Sequence, residues 1–228
     1  METTNNFKPI LFSTEMVQAI LAGRKTQTRR NIKNLKGIDH NNFIPGDRSF
    51  LKSKGFQQLI LRGDFKKAIT LKPKYLTGDI LWVRETFCDV SHNLENENCF
   101  LYKADFLGTT AELVKWKPSL FMPKEAARIF LKVTNVRCER LQDISEEDAI
   151  SEGAKDSLNH DDMKLLSNLD WVIKRPFGNH QFGFLALWQS INAKKHPWKS
   201  NPWVWVYEFE RIEKTENINN QNINNQNL

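Results

Sequence analysis

Residues 203–212, WVWVYEFERI, constrain the fold more than any other stretch of the chain. Side chains alternate between the two faces of a strand, so Trp203, Trp205, Tyr207 and Phe209 share one face and Val204, Val206 and Glu208 the other. A strand this apolar on both sides needs cover on both sides. The rest of the chain can supply it: 40% of its residues are hydrophobic, among them 7 Trp and 15 Phe, which excludes a disordered polypeptide. At 228 residues and the usual ~150 per domain, the chain is expected to form one domain with room for insertions.

KPILF (8–12) predicts a short strand, and Ser13 caps a helix from Thr14 to about Leu21 that Gly23 ends. Arg24 to Arg30 follow as a basic turn at the helix C-terminus, where carbonyl ends favour cations. Residues 31–77 are polar and broken by Gly37, Pro45, Gly46, Gly55 and Gly63, the pattern of an insertion, placed near 31–75. GDILWVRETF (78–87) predicts a buried strand with Arg84 and Glu85 at its far end, and 99–104 a second. Arg128 to Arg140 alternates as a half-exposed strand. Ser145 followed by Glu146, Glu147 and Asp148 starts a helix expected to reach about Glu152 and stop at Gly153. A second polar insertion spans 155–180, and Phe182 to Ile191 predicts a helix with Phe184, Leu187, Trp188 and Ile191 on one stripe. From about residue 215 an Asn/Gln-rich tail lacks the apolar mass to order itself. Short strands with a few helices and no βαβ alternation predict an α+β fold, a small β-barrel with flanking helices, over residues 1–214.

Several function classes drop out. No run approaches a membrane span and the N-terminus has no export pattern, so a cytoplasmic protein without membrane attachment is expected. Cys88, Cys99 and Cys138 form no CxxC pair, and Cys88 and Cys138 are read as buried small residues. His40, His92, His160, His180 and His196 show no metal-binding spacing, so no metal is expected. Neither a dinucleotide fingerprint nor a P-loop occurs, and no cofactor is expected. The charge of +6 is uneven: the first 75 residues hold 15 basic and 5 acidic residues, pointing to an anionic partner such as a nucleotide or nucleic acid. Four of those cations, Arg24, Lys25, Arg29 and Arg30, lie in one short segment.

That segment, LAGRKTQTRR (21–30), carries the chemistry. Lys25, Thr28 and Arg30 stand at spacings of three and two, and a hydroxyl becomes a nucleophile only when a neighbouring base takes its proton. Lysine is such a base once its pKa falls. Bringing it from ~10.4 to near 7 takes about 4.6 kcal/mol, within reach of burial, with neighbouring cations acting in the same direction. A basic loop after a helix is equally the pattern of a solvated or phosphate-binding surface.

LAGRKTQTRR, followed by LTGDILWV and then by SEEDAISEGA, resembles the signature of the ASCH domain family, relatives of the PUA-like fold. The first motif is most similar to that of small bacterial amidohydrolases that deacetylate N4-acetylcytidine. The resemblance implies a small PUA-like barrel and an active site of Lys25, Thr28, Arg30 and Glu152. Its implied reaction is removal of the acyl group from an N4-acylated cytosine nucleoside. Lys25 activates Thr28 or a water, Arg30 orders the site or stabilises the oxyanion, and Glu152 protonates the leaving nitrogen. Without the resemblance, Glu152 reads as an exposed helix acid at i+4 from Asp148. Trp82, Trp116, Phe87 and Phe121 are candidates to stack on the base, although such residues commonly pack in cores. Glu85 and Arg84 either read the base edge or pair with each other, and Arg128 and Arg24 complete the candidate substrate-binding set. The resemblance leaves 31–75 and 155–180 uncovered, where the chain is more similar to larger ASCH proteins of phages and prophages. The alternatives are an RNA-binding PUA-like module, with RNA as partner, and a ribonuclease, which the lack of a histidine pair disfavours.

Overall fold

The computed structural model describes residues 6–32, 43–46, 57–61, 64–90, 99–106, 112–167 and 177–214. The Asn/Gln-rich tail lies outside the described residues. The fold is α+β. A mixed five-stranded sheet has the order β1 (Phe7–Leu11), β6 (Ile80–Arg84), β9 (Phe130–Arg140), β10 (Trp203–Ile212) and β2 (Gln27–Asn31). β1 runs parallel to β6, whereas β6 pairs antiparallel with β9 and β10 with β2. Among the described strands no closed barrel is formed.

Chain contacts group the molecule into two compact units. The first comprises Met1–Leu21, Gly78–Val133 and Phe209–Leu228 and the second Ala22–Thr77 and Thr134–Glu208. In the first unit, Ser13 precedes helix α1 (Thr14–Leu21) and its Oγ accepts from the Met16 amide at 3.4 Å. The helix buries Val17, Ala19 and Ile20. Buried β6 and β9 side chains Leu81, Val83, Leu131 and Val133 and the Phe12–Phe209 ring pair at 6.2 Å add to the unit's core. The hairpin of β7 (Phe87–Asp89) and β8 (Phe100–Tyr102) packs with Met122 and Ala126.

In the second unit, β10 behaves as its pattern requires: Trp203 through Tyr207 are all buried. One of its faces joins a core of Leu141, Ile144, Ala149, Phe184, Trp188 and Trp198 around Val204 and Val206. Two helices supply most of that cover, α2 (Glu146–Ser151) and α4 (Asn179–Asn192), with α3 (His160–Ser167) adding Leu166. Ser145 caps α2 by accepting from the Asp148 amide at 3.0 Å, as its sequence predicts, an arrangement generally worth about 1 kcal/mol. The Glu146 carboxylate in turn caps α4, accepting from the His180 and Gln181 amides at 2.9 and 3.0 Å. Gly153, at φ +73°, turns the chain directly after α2, a backbone state that a side chain disfavours.

Expectations for the basic turn, the α4 stripe and Cys88 are corrected. The basic turn at 24–30 is largely strand β2, because pairing with β10 overrides the weak strand propensity of QTRRN. The two stretches read as insertions carry elements of their own: residues 31–77 hold a three-stranded antiparallel sheet of β3 (Phe43–Gly46), β4 (Gln57–Leu61) and β5 (Asp64–Leu71), and 155–180 holds α3. On α4, Ile191 is 56% exposed, while Gln181, Leu185 and Gln189 are buried with Phe184 and Trp188. Cys138 is buried, which pushes its thiol up to about 12, but Cys88 is only partly buried.

Candidate functional site

β2 and the end of α2 build the candidate site inside the second unit. Just ahead of β2, Lys25 forms an isolated antiparallel bridge with Glu152, and the Thr26 amide donates to the Ser151 carbonyl at 2.8 Å. That backbone pairing joins residues 127 positions apart. Lys25 Nζ donates to the Glu152 carbonyl oxygen at 2.7 Å and to its Oε2 at 2.8 Å. The lysine side chain is fully enclosed and that of Glu152 is 3% exposed, so Glu152 is not the exposed helix acid that spacing alone describes.

Two residues along the strand, Gln27 and Arg29 reach the same helix. Arg29 Nη1 donates to Glu152 Oε1 at 3.2 Å and Nη2 to Asp148 Oδ2 at 2.7 Å, while Nε donates to Glu139 Oε1 at 3.1 Å. Gln27 Nε2 donates to the Asp148 carbonyl at 2.8 Å and to Oδ1 at 3.0 Å. From β9, Arg137 completes the array, donating to Asp148 Oδ1 at 2.8 Å, to Glu139 Oε2 at 3.1 Å and to Glu208 on β10. Buried charge is tolerated only when paired and hydrogen-bonded, and here each carboxylate meets at least one cation.

The electrostatics divide these groups. Burial lowers the Lys25 pKa; Glu152 opposes that, Arg30 and Arg29 add to it, and the net direction is down. Burial alone would raise Asp148, but Arg29, Gln27 and Arg137 outweigh it and hold its carboxyl below the usual range. Together the residues enclose a lysine whose charged form burial disfavours, hydrogen-bonded to the Glu152 side chain. Such a pair can pass a proton.

Thr28 and Arg30 leave β2 on the face opposite Gln27 and Arg29, as strand alternation requires. Thr28 is buried and lies opposite Tyr207 in the β10 register, and Arg30 opposite Trp205. Arg30 is electrostatically coupled to Tyr75 and Tyr207, whose rings meet edge-on at 5.1 Å, and also to Glu152. Arg29, which the motif passes over, is hydrogen-bonded to Glu152. Arg24 is exposed beyond Gly23.

The other nominated residues belong to the first unit. Glu85 is buried and pairs with Arg128, not with Arg84: Arg128 Nε and Nη2 donate to its two oxygens at 2.9 and 3.0 Å. Nη1 of Arg128 donates to Asp105 at 2.6 Å, and the guanidinium lies 3.9 Å from the Tyr102 ring centre. Arg84 instead covers Trp82 at 5.5 Å. Trp116 packs edge-on against Phe106 at 5.3 Å, Phe87 is core, and Phe121 is 68% exposed.

Among the described residues no group of three or more His, Cys, Asp or Glu side chains could hold a metal ion, and no helix is long and apolar enough to cross a membrane. No protein-family model, curated protein or solved structure matches the chain. Sequence reasoning missed Arg29, Glu139, Asp148 and Arg137. The signal for two of them was available: Asp148 and Glu152 stand at i and i+4 on one helix face, and Gln27 and Arg29 alternate on one strand face.

Proposed function

We propose that this chain is an amidohydrolase that removes the acyl group from the exocyclic amine of N4-acylated cytosine nucleosides, and that it is an ASCH protein of PUA-like fold. One observation carries the catalytic reading: Lys25 and Glu152, 127 residues apart, share an enclosed hydrogen bond of 2.8 Å. The order of the three motifs, from LAGRKTQTRR through GDILWV to SEEDAISEGA, supports the family reading.

In the reaction, Lys25 in its deprotonated form takes a proton from a water while that oxygen attacks the acyl carbonyl carbon. Arg30 stabilises the resulting oxyanion. The proton then passes from Lys25 across its hydrogen bond to Glu152 and on to the exocyclic nitrogen as the C–N bond breaks. The products are the free cytosine nucleoside and the carboxylic acid.

Chromatography of N4-acetylcytidine incubated with purified protein tests this reading. Cytidine is expected from the wild type, with kcat/KM lowered about 10²- to 10⁴-fold in Lys25→Ala and Glu152→Gln, the usual weight of a positioned acid or base. No cytidine from the wild type, or equal rates from Lys25→Ala, contradicts it.

A further inference from the structure

Arg29 is not placed to meet a substrate. Its side chain is fully enclosed, its guanidinium is held by Glu139, Asp148 and Glu152, and it lies 5.7 Å from the centre of the Phe184 ring. Yet it occupies one oxygen of the carboxylate that Lys25 uses. A carboxylate with an ammonium as its sole partner can turn both oxygens to it and hold it charged, and a lysine held that way is a poor base. With Arg29 on Oε1, Lys25 donates to Oε2 and to the Glu152 backbone carbonyl.

We propose that Arg29 is a positioning residue: it takes Oε1 of Glu152, so that of the carboxylate's two oxygens Lys25 holds Oε2, and this divided carboxylate lets Lys25 give up its proton and act as the base. The proposal rests on the amidohydrolase reading for its purpose, though its effect on Lys25 can be measured without turnover. The charged groups that act on Lys25 are Glu152 at the end of α2 and Arg30 and Arg29 on β2; Asp148 on α2, Glu139 and Arg137 on β9 and Glu208 on β10 form the ion-pair array that continues from Arg29. Asp148 and Glu139 hold the guanidinium in place. Arg29 also opposes a positive charge on Lys25 through space, the same direction as its geometric effect.

The test follows the Lys25 side chain by NMR across pH in the wild type, Arg29→Met and Arg29→Lys, beside the acidic limb of kcat/KM on N4-acetylcytidine. Arg29→Met is expected to raise the Lys25 midpoint by about one pH unit or more, and the acidic limb should move up with it. Arg29→Lys keeps the charge and should recover at least half of that change. A purely structural role would lower the amount of folded protein without moving either midpoint. Arg29→Gln combined with Asp148→Asn, which exchanges the ion pair for a neutral hydrogen-bonded pair, gives a second background should Arg29→Met not fold. A Lys25 midpoint that stays put or falls in the folded variant overturns the proposal. If the wild type releases no cytidine, the hydrolase reading fails while the NMR titration still decides what Arg29 does to Lys25. If cytidine is released and the midpoint does not move, the Arg29 proposal fails alone.

Discussion

Each unit buries a carboxylate, and the two are handled differently. Glu85 in the first unit is 1% exposed and Glu152 in the second 3%. Glu85 gives both oxygens to one guanidinium, that of Arg128, whose own side chain is 27% exposed and continues to Asp105. Glu152 is divided between two cations, the enclosed Arg29 and the enclosed Lys25. An arginine does not release its proton under ordinary conditions, so the first arrangement is a fixed clasp. A lysine does, once burial has lowered it, so the second arrangement can exist in two protonation states. A buried ion pair says little about function by itself; the identity of the cation separates a strut from a candidate proton-transfer pair.

Removing the arginines should separate the two regions most. Arg29→Ala leaves Glu139, Asp148 and Glu152 short of a partner in an enclosed place and is expected to lower stability by about 3 to 5 kcal/mol. Arg128→Ala acts where water can reach the clasp, and about 1 to 3 kcal/mol is expected. Urea unfolding of the two variants measures both, and equal losses would break the comparison.

The pH dependence of stability sharpens it with opposite signs. Burial raises Glu85 above its ordinary value of 4.5, against the pull of Arg128, so the native state binds more protons than the unfolded one above pH 4.5 and stability falls as pH rises through that window. Lys25 is lowered from 10.5, so below pH 10.5 the unfolded state binds the extra proton and stability rises with pH towards 10.5. Each slope is at most about 1.4 kcal/mol per pH unit. Urea midpoints across pH should lose the acidic-side slope in Glu85→Gln and the basic-side slope in Lys25→Met. A Lys25→Met profile that matches the wild type on the basic side up to pH 10.5 would count against a lowered Lys25.

Much of this was legible in the residues. The alternating aromatic strand, the Ser13 and Ser145 helix starts and the Gly153 stop are local patterns set by side-chain periodicity and capping, and each has its counterpart in the structure. Strand β2 was not legible, because QTRRN has no apolar alternation and becomes a strand only by pairing with β10. The sheet within 31–77 was hidden by its glycines and prolines, which mark turns as readily as insertions. At the candidate site, Lys25 and Glu152 could be nominated from a motif resemblance, but their meeting depends on a backbone bridge that no local pattern encodes. Arg29 sat in plain view beside Arg30. Choosing between neighbours of alternate parity required knowing that the segment was a strand and which of its faces α2 covers.

Chemical rescue tests the central claim most directly, because it asks whether the Lys25 amine itself moves the proton. In Lys25→Ala the missing side chain leaves space beside Glu152 for a small primary amine. Hydrolysis of N4-acetylcytidine by that variant is measured with added methylamine, ethylamine and weaker bases of similar size. The account predicts that the variant is slow, that amines restore cytidine release in proportion to their concentration, and that the restored rate tracks amine basicity. An unimpaired variant, or an impaired one that no amine accelerates while it stays folded, would contradict the account.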